Sequence, residues 1–177
     1  ALRASAYGPL QIMFPMVGSL EDIRKAKEYL NLAKEQLKER KQQFDEQIRI
    51  GIMIEIPAIA LIADLAAEEV DFASIGSNDL TQYLSAADRM NPEVAAYYKS
   101  DSTAMLRLLG FVFREFSKRE KEISVCGEMA GNPETAQLLV GLGARKLSMS
   151  SGNIAGVKAK LAECTLQELT ALAEKKL

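Results

Sequence analysis

The feature that most constrains this chain is a set of apolar runs of strand length that stop abruptly at polar groups. The stretch from Gly51 to Asn91 holds two of them. Gly51-Ile52-Met53-Ile54 runs straight into Glu55 and is stopped by Pro57, which cannot continue a sheet ladder. Phe72-Ala73-Ser74-Ile75-Gly76 delivers Asn78 and Asp79 to the same kind of place one strand-helix unit later, and Arg89 follows within reach. Two carboxylates, an amide and a guanidinium at neighbouring strand ends are the makings of a site for a metal ion and an anionic substrate.

The same unit recurs along the chain. Leu10 to Phe14 reads as a strand ended by Pro15, and Ser19 with Asp22 opens a long helix. That helix keeps Ile23, Ala26, Leu30, Ala33 and Leu37 on one stripe, and its interspersed charges between Arg24 and Glu46 read as a solvated face. Pro92 to Tyr98 reads as a short helix. Asp101 or Ser102 then caps a longer one carrying Met105, Leu108, Leu109, Val112, Phe113 and Phe116 at helical spacing, as a core stripe. Ile123 to Cys126 is a fourth strand ended by Gly127-Glu128, and Asn132-Pro133-Glu134 starts the next helix with an N-cap, a proline and an acid. Lys146 to Ser150 gives a fifth strand, and 154–177 a terminal helix in two pieces. Residues Ala1 to Gly8 read as the last turns of a helix closed by a glycine, so the start looks cut from something longer.

Five strands each followed by helix, with no hairpin signal, predict a parallel sheet with right-handed crossovers. Polar residues emerging from several successive strand ends favour a (β/α)8 barrel over a doubly wound sheet. The Gly141-Leu142-Gly143 turn does not follow a strand and open a helix, so it is no dinucleotide fingerprint.

Composition narrows the chemistry. The chain has no histidine, so acid-base work falls on carboxylates, a thiol or lysine. Its 22 Lys and Arg against 24 Asp and Glu, net -2, give no general pull toward nucleic acid or an anionic membrane, and any phosphate recognition must be local. No apolar run approaches the roughly 20 residues that cross a bilayer, and no secretory layout opens the chain, so a cytoplasmic location is expected. Cys126 and Cys164 suggest neither a disulfide framework nor a metal knuckle. Cys164 reads as a small apolar residue of the terminal helix.

IMFPM at 12–16, GIMIEIPA at 51–58, DFASIGSNDLTQYLSAADRMN at 71–91, VCGEMAG at 125–131 and LSMS at 147–150 together resemble a known family. It is the carboxyl-terminal phosphoenolpyruvate-binding barrel of enzyme I of the bacterial sugar phosphotransferase system, the phosphoenolpyruvate-protein phosphotransferases. The resemblance covers essentially the whole chain. Pyruvate phosphate dikinase and phosphoenolpyruvate synthase share the NDLTQ block, but the EMAGNP after Cys126 favours enzyme I. What the resemblance implies is an α/β fold, a partial (β/α)8 TIM barrel of the phosphoenolpyruvate/pyruvate type. Residues 1–177 would supply about strands four to eight as a single domain, with the upstream strands and the phosphohistidine domain outside it. Phosphoenolpyruvate and pyruvate as ligands, Mg2+ as cofactor, a homodimer and a histidine-containing phosphocarrier protein as partner are implied in the same way. This stretch alone is expected to be inactive.

Carried over residue by residue, Glu55 and Asp79 match the family's magnesium ligands, and Asp79, Asn78 and Arg89 lie with its substrate contacts. Cys126 matches the acid-base residue that handles the proton at the substrate's methylene carbon, and Glu128 reads as a carboxylate that orients the site from behind. Ser77 stands where the family often has Thr and keeps the hydroxyl. Each residue also has a plainer reading. Glu55 could be a buried acid paired with Arg89, Asn78 a left-handed turn residue, Cys126 a buried small hydrophobe, and Asp88 a structural partner of Arg89. Two rivals stand beside enzyme I: part of a dikinase or synthase, or a non-catalytic half-barrel interaction module.

Overall fold

Five parallel strands pair in the order in which they occur, in a computed structural model that describes residues 1–177. They are β1 (Gln11–Phe14), β2 (Arg49–Ile54), β3 (Phe72–Gly76), β4 (Glu122–Cys126) and β5 (Leu147–Ser148). A doubly wound sheet reverses its order at a switch point; this one runs β1-β2-β3-β4-β5 without reversal. The connections hold nine helices: α1 (Leu20–Glu39), α2 (Pro57–Leu61), α3 (Ala63–Glu69), α4 (Ser77–Ser85), α5 (Thr103–Lys118), α6 (Glu128–Gly131), α7 (Pro133–Leu142), α8 (Ser151–Ala162) and α9 (Leu166–Glu174). None is long and apolar enough to cross a membrane.

Register decides which face of the sheet is packed. Ile52 pairs with Ala73 and Ala73 with Ile123; Ile54 pairs with Ile75, Ile75 with Val125 and Val125 with Leu147. These side chains share one face, and all of them join or pack against the main core, which α2, α3 and α5 complete with Ile59, Ala66, Leu109 and Phe113. Burying each Ile or Phe there stabilises by about 1.5–3 kcal/mol. The alternate positions Met13, Met53, Phe72, Ser74 and Ser124 point the other way, and none belongs to the core. The capping signals act as predicted at α1 and α7, and at α5 the structure selects Ser102 over Asp101. Ser19 and Asp22 form a full capping box, Ser102 caps α5, and Asn132 accepts from Glu134 and Thr135 at the start of α7.

Four expectations change in detail. Ala4–Tyr7 is a single 3-10 turn, and Gly8 is extended rather than left-handed. The cause is Ser5, whose hydroxyl donates to the Leu2 carbonyl at 2.6 Å and accepts from the Asp45 amide at 2.8 Å, pinning a tighter turn. Pro92–Tyr97 is likewise a 3-10 turn. The fifth strand pairs only over Leu147 and Ser148, because Ser150 already caps α8. Cys164 lies beyond the end of α8, where its sulfur accepts from the Gln137 amide at 3.3 Å.

Candidate active site

The strand register builds the site. Gly76 pairs with Cys126 and Cys126 with Ser148, while Glu55 follows Ile54, the partner of Ile75. Glu55, Gly76, Cys126 and Ser148 therefore form one row across four strands at their carboxyl ends, on the face turned away from the core. Loops and helix starts above this row carry the remaining polar groups.

Glu55 is 4% exposed, and its partner is not Arg89. Its Oε1 accepts from the Met16 amide at 2.7 Å, which ties the β1–α1 loop across β2, and Met16 takes a left-handed φ of 54° to present that N–H. A Cβ on Gly76 would come within 2.9 Å of the other carboxylate oxygen, so a glycine there makes the room in which Glu55 lies. Glu55 makes this one hydrogen bond and no ion pair, which leaves its other oxygen open to a further partner.

α4 begins directly after β3 and brings three groups together. The buried Ser77 hydroxyl donates to the Cys126 carbonyl at 2.7 Å, locking α4 to the end of β4. Asn78 is helical rather than left-handed, and its Oδ1 accepts from the Glu128 amide at 3.0 Å. That bond leaves the Asn78 amide nitrogen, with two N–H donors, for an anion. Asp79 in the same turn pairs with Arg89 at 3.4 Å, with side chains 34% and 39% exposed. An exposed pair of this kind contributes about 0–1 kcal/mol, so it is easily exchanged for a better partner. Asp88 does not join Arg89; its Oδ1 accepts from the Met90 amide at 2.9 Å and makes a local turn.

Cys126 is half-buried, and its thiol donates to the Ile75 carbonyl at 3.4 Å. Gly127 has a φ of 107°, and a Cβ there would meet the Ser77 hydroxyl oxygen at 2.5 Å and Asn78 Oδ1 at 2.8 Å. Glu128 is exposed at the start of α6, and it meets the site through its backbone amide. Tyr98 was not legible in the sequence. Its hydroxyl donates to the Asn78 carbonyl at 3.1 Å, and burial first, then the charge of Glu128, pushes its phenol above the ordinary value, with Arg89 pulling the other way.

The predicted residues Glu55, Asn78, Asp79 and Cys126 thus stand at the ends of adjacent strands, with Arg89 joined through Asp79 and Glu128 through Asn78. No group of three or more Cys, Asp or Glu gathers to hold a metal from protein ligands alone. A surface cavity of about 460 Å³ lined by Lys38, Gln42, Phe44 and Glu46 includes none of these residues.

Residues 1–166 match a family described as PEP-utilising enzyme, PEP-binding domain, PEP being phosphoenolpyruvate. This chain belongs to that family. The chain is 47% identical over 167 residues to multiphosphoryl transfer protein 2 of Escherichia coli (strain K12), covering 94% of this chain and 20% of the relative. It is 44% identical over 168 residues to a phosphoenolpyruvate-protein phosphotransferase of Priestia megaterium, covering 95% and 29%. Against that of Bacillus subtilis (strain 168) it is 43% identical over 174 residues, covering 98% and 30%. The chain therefore spans between a fifth and a third of the length of these relatives.

Proposed function

We propose that this chain is the phosphoenolpyruvate- and Mg2+-binding part of an enzyme that passes the phosphoryl group of phosphoenolpyruvate to a protein histidine and releases pyruvate, in sugar uptake by the phosphotransferase system. The observation that carries the reading is the gathering of Glu55, Asn78, Asp79, Arg89 and Cys126 at the carboxyl ends of β2, β3 and β4, where barrel enzymes hold their chemistry. An unreversed parallel arc with its core on one face is what five consecutive strands of a (β/α)8 barrel would give. The face bearing Met13, Met53 and Phe72 would then be the barrel interior. A single domain over residues 1–177, a cytoplasmic location, a homodimer and a histidine-containing phosphocarrier partner belong to the same reading. The phosphotransferase names of the relatives favour it over a dikinase or synthase.

The donor set suits Mg2+, which takes oxygen ligands and commonly one or two carboxylates, the rest coming from substrate and water. Glu55 and Asp79 would hold it, and it would supply positive charge against the phosphoryl oxygens. Arg89 offers two parallel N–H donors to the phosphate oxyanion, and the Asn78 amide offers another. Both keep those donors fixed as charge builds on the transferred group, and this positioning is the main source of catalysis in phosphoryl transfer. As the P–O bond to the enol oxygen breaks, Cys126 gives its thiol proton to the methylene carbon, and enolpyruvate becomes pyruvate. The thiolate then recovers a proton from solvent.

The test uses the complete product of the gene that encodes this chain, given phosphoenolpyruvate and Mg2+. Pyruvate release with formation of an acid-labile phosphoprotein is expected, and Asp79→Asn should reduce it by two orders of magnitude or more. Turnover unaffected by Asp79→Asn would refute the assignment.

A further inference from the structure

Arg89 stands on a turn held by its backbone, its amide donating to the Gln82 side-chain carbonyl at 3.1 Å and the Asn91 amide to the Asp88 carbonyl at 3.1 Å, but none of these bonds fixes the guanidinium. Between the end of α4 and the 3-10 turn at Pro92 there is neither helix nor strand, and Asp88, Arg89 and Met90 are all exposed. The ion pair that aims its guanidinium is the one with Asp79, a group the proposed reaction needs for the metal. Once Asp79 turns to a cation, the arginine loses that partner and regains its rotamer freedom, unless something else fixes it.

Tyr98 is placed to do so. Its neighbour Tyr97 is 71% exposed, whereas Tyr98 turns inward, held by its amide on the Ala95 carbonyl at 3.2 Å. Its hydroxyl spends its one proton on the Asn78 carbonyl, in the first turn of the helix that also carries Asp79. The phenolic lone pairs remain for a donor, and a guanidinium has only donors to give. The phenol bonds Asn78 and the guanidinium pairs with Asp79, the next residue of the same turn, so the two side chains converge on one end of α4. Tyr98 is thus fixed at the turn whose placement relative to Arg89 decides whether the arginine reaches the same anion as Asn78.

We infer that Tyr98 is a positioning residue: it anchors to the first turn of α4 and holds the Arg89 guanidinium in two-donor aim at the substrate phosphate when Asp79 lets go. The inference rests on the proposed phosphoryl transfer and concerns a residue outside the set that transfer requires.

The test measures kcat/KM for phosphoenolpyruvate in the complete gene product with Mg2+, for the parent, Tyr98→Phe, Arg89→Lys and the double variant. Tyr98→Phe keeps the ring and removes only the hydroxyl, and a lost hydrogen bond to a charged group is expected to lower kcat/KM by about tenfold to a hundredfold. Lysine keeps the charge without the planar fork, so in the R89K background the same change should cost less than about twofold. Factors that multiply independently would mean that Tyr98 merely supports the fold, and a Y98F variant at the parent rate would equally overturn the inference. Arg89→Lys at the parent rate, or a parent that releases no pyruvate, would overturn the proposed function itself.

Discussion

Gly127→Ala is the substitution whose cost the geometry states most directly. Gly127 has φ 107° and ψ -173°, a region open essentially to glycine alone, and holding alanine there costs about 1–3 kcal/mol. The new methyl would also stand 2.5 Å from the Ser77 hydroxyl oxygen and 2.8 Å from Asn78 Oδ1. Ser77 is 1% exposed and committed to the Cys126 carbonyl, so relief means breaking that bond, at about 0.5–1.5 kcal/mol. The unfolded chain becomes stiffer with alanine, which returns about 0.4–1 kcal/mol. The net is a loss of about 2 kcal/mol, or roughly 4–8 °C in melting temperature for a chain of this size. Thermal unfolding followed by far-ultraviolet circular dichroism measures it on the parent, Gly127→Ala, Ser77→Ala and the double variant. Because removing the Ser77 hydroxyl removes the nearest clash, the double variant should be more stable than the two single losses added together. A Gly127→Ala melting temperature within about 1 °C of the parent would refute the argument that this glycine is required by both its backbone and its neighbours.

Cys126→Ala in the complete gene product should leave phosphoenolpyruvate binding nearly unchanged, while exchange of the pyruvate methyl hydrogens with solvent deuterium slows by about a hundredfold or more, read by NMR. The chain studied alone should associate at micromolar concentration in sedimentation, since the outer edges of β1 and β5 are unpaired and the Met13, Met53 and Phe72 face is only partly covered; a well-folded monomer would count against the barrel-arc reading. Glu115 is held below its ordinary 4.5 chiefly by Lys118 and then Arg119, and Glu122 likewise chiefly by Lys146. Groups with depressed values stabilise above the unfolded value and lose that contribution as pH falls through the folded one. The melting temperature should therefore drop from about pH 4.5 downward, and less steeply in Glu115→Gln, as acid titration monitored by circular dichroism would show.

The periodicity of the apolar residues was enough to locate every strand, the α1 and α5 core stripes and the caps at Ser19, Ser102 and Asn132, because these depend on neighbours in sequence. It also placed Glu55, Asn78, Asp79 and Cys126 at strand ends, since a polar residue that stops an apolar run must emerge where the strand does. Pairing across the sheet is a different matter. That Glu55 bonds the Met16 amide instead of Arg89, that Asn78 is held by Glu128 through the backbone, and that Tyr98 reaches back twenty residues to Asn78 depend on register and on loops crossing between strands. The 3-10 turn at Ala4–Tyr7 and the two-residue β5 were set the same way, by Ser5 bonding Asp45 and by α8 starting at Ser151. Local physics specifies what a residue is able to do; which partner it meets is decided by contacts between segments far apart in the chain, whose free energies no local pattern records.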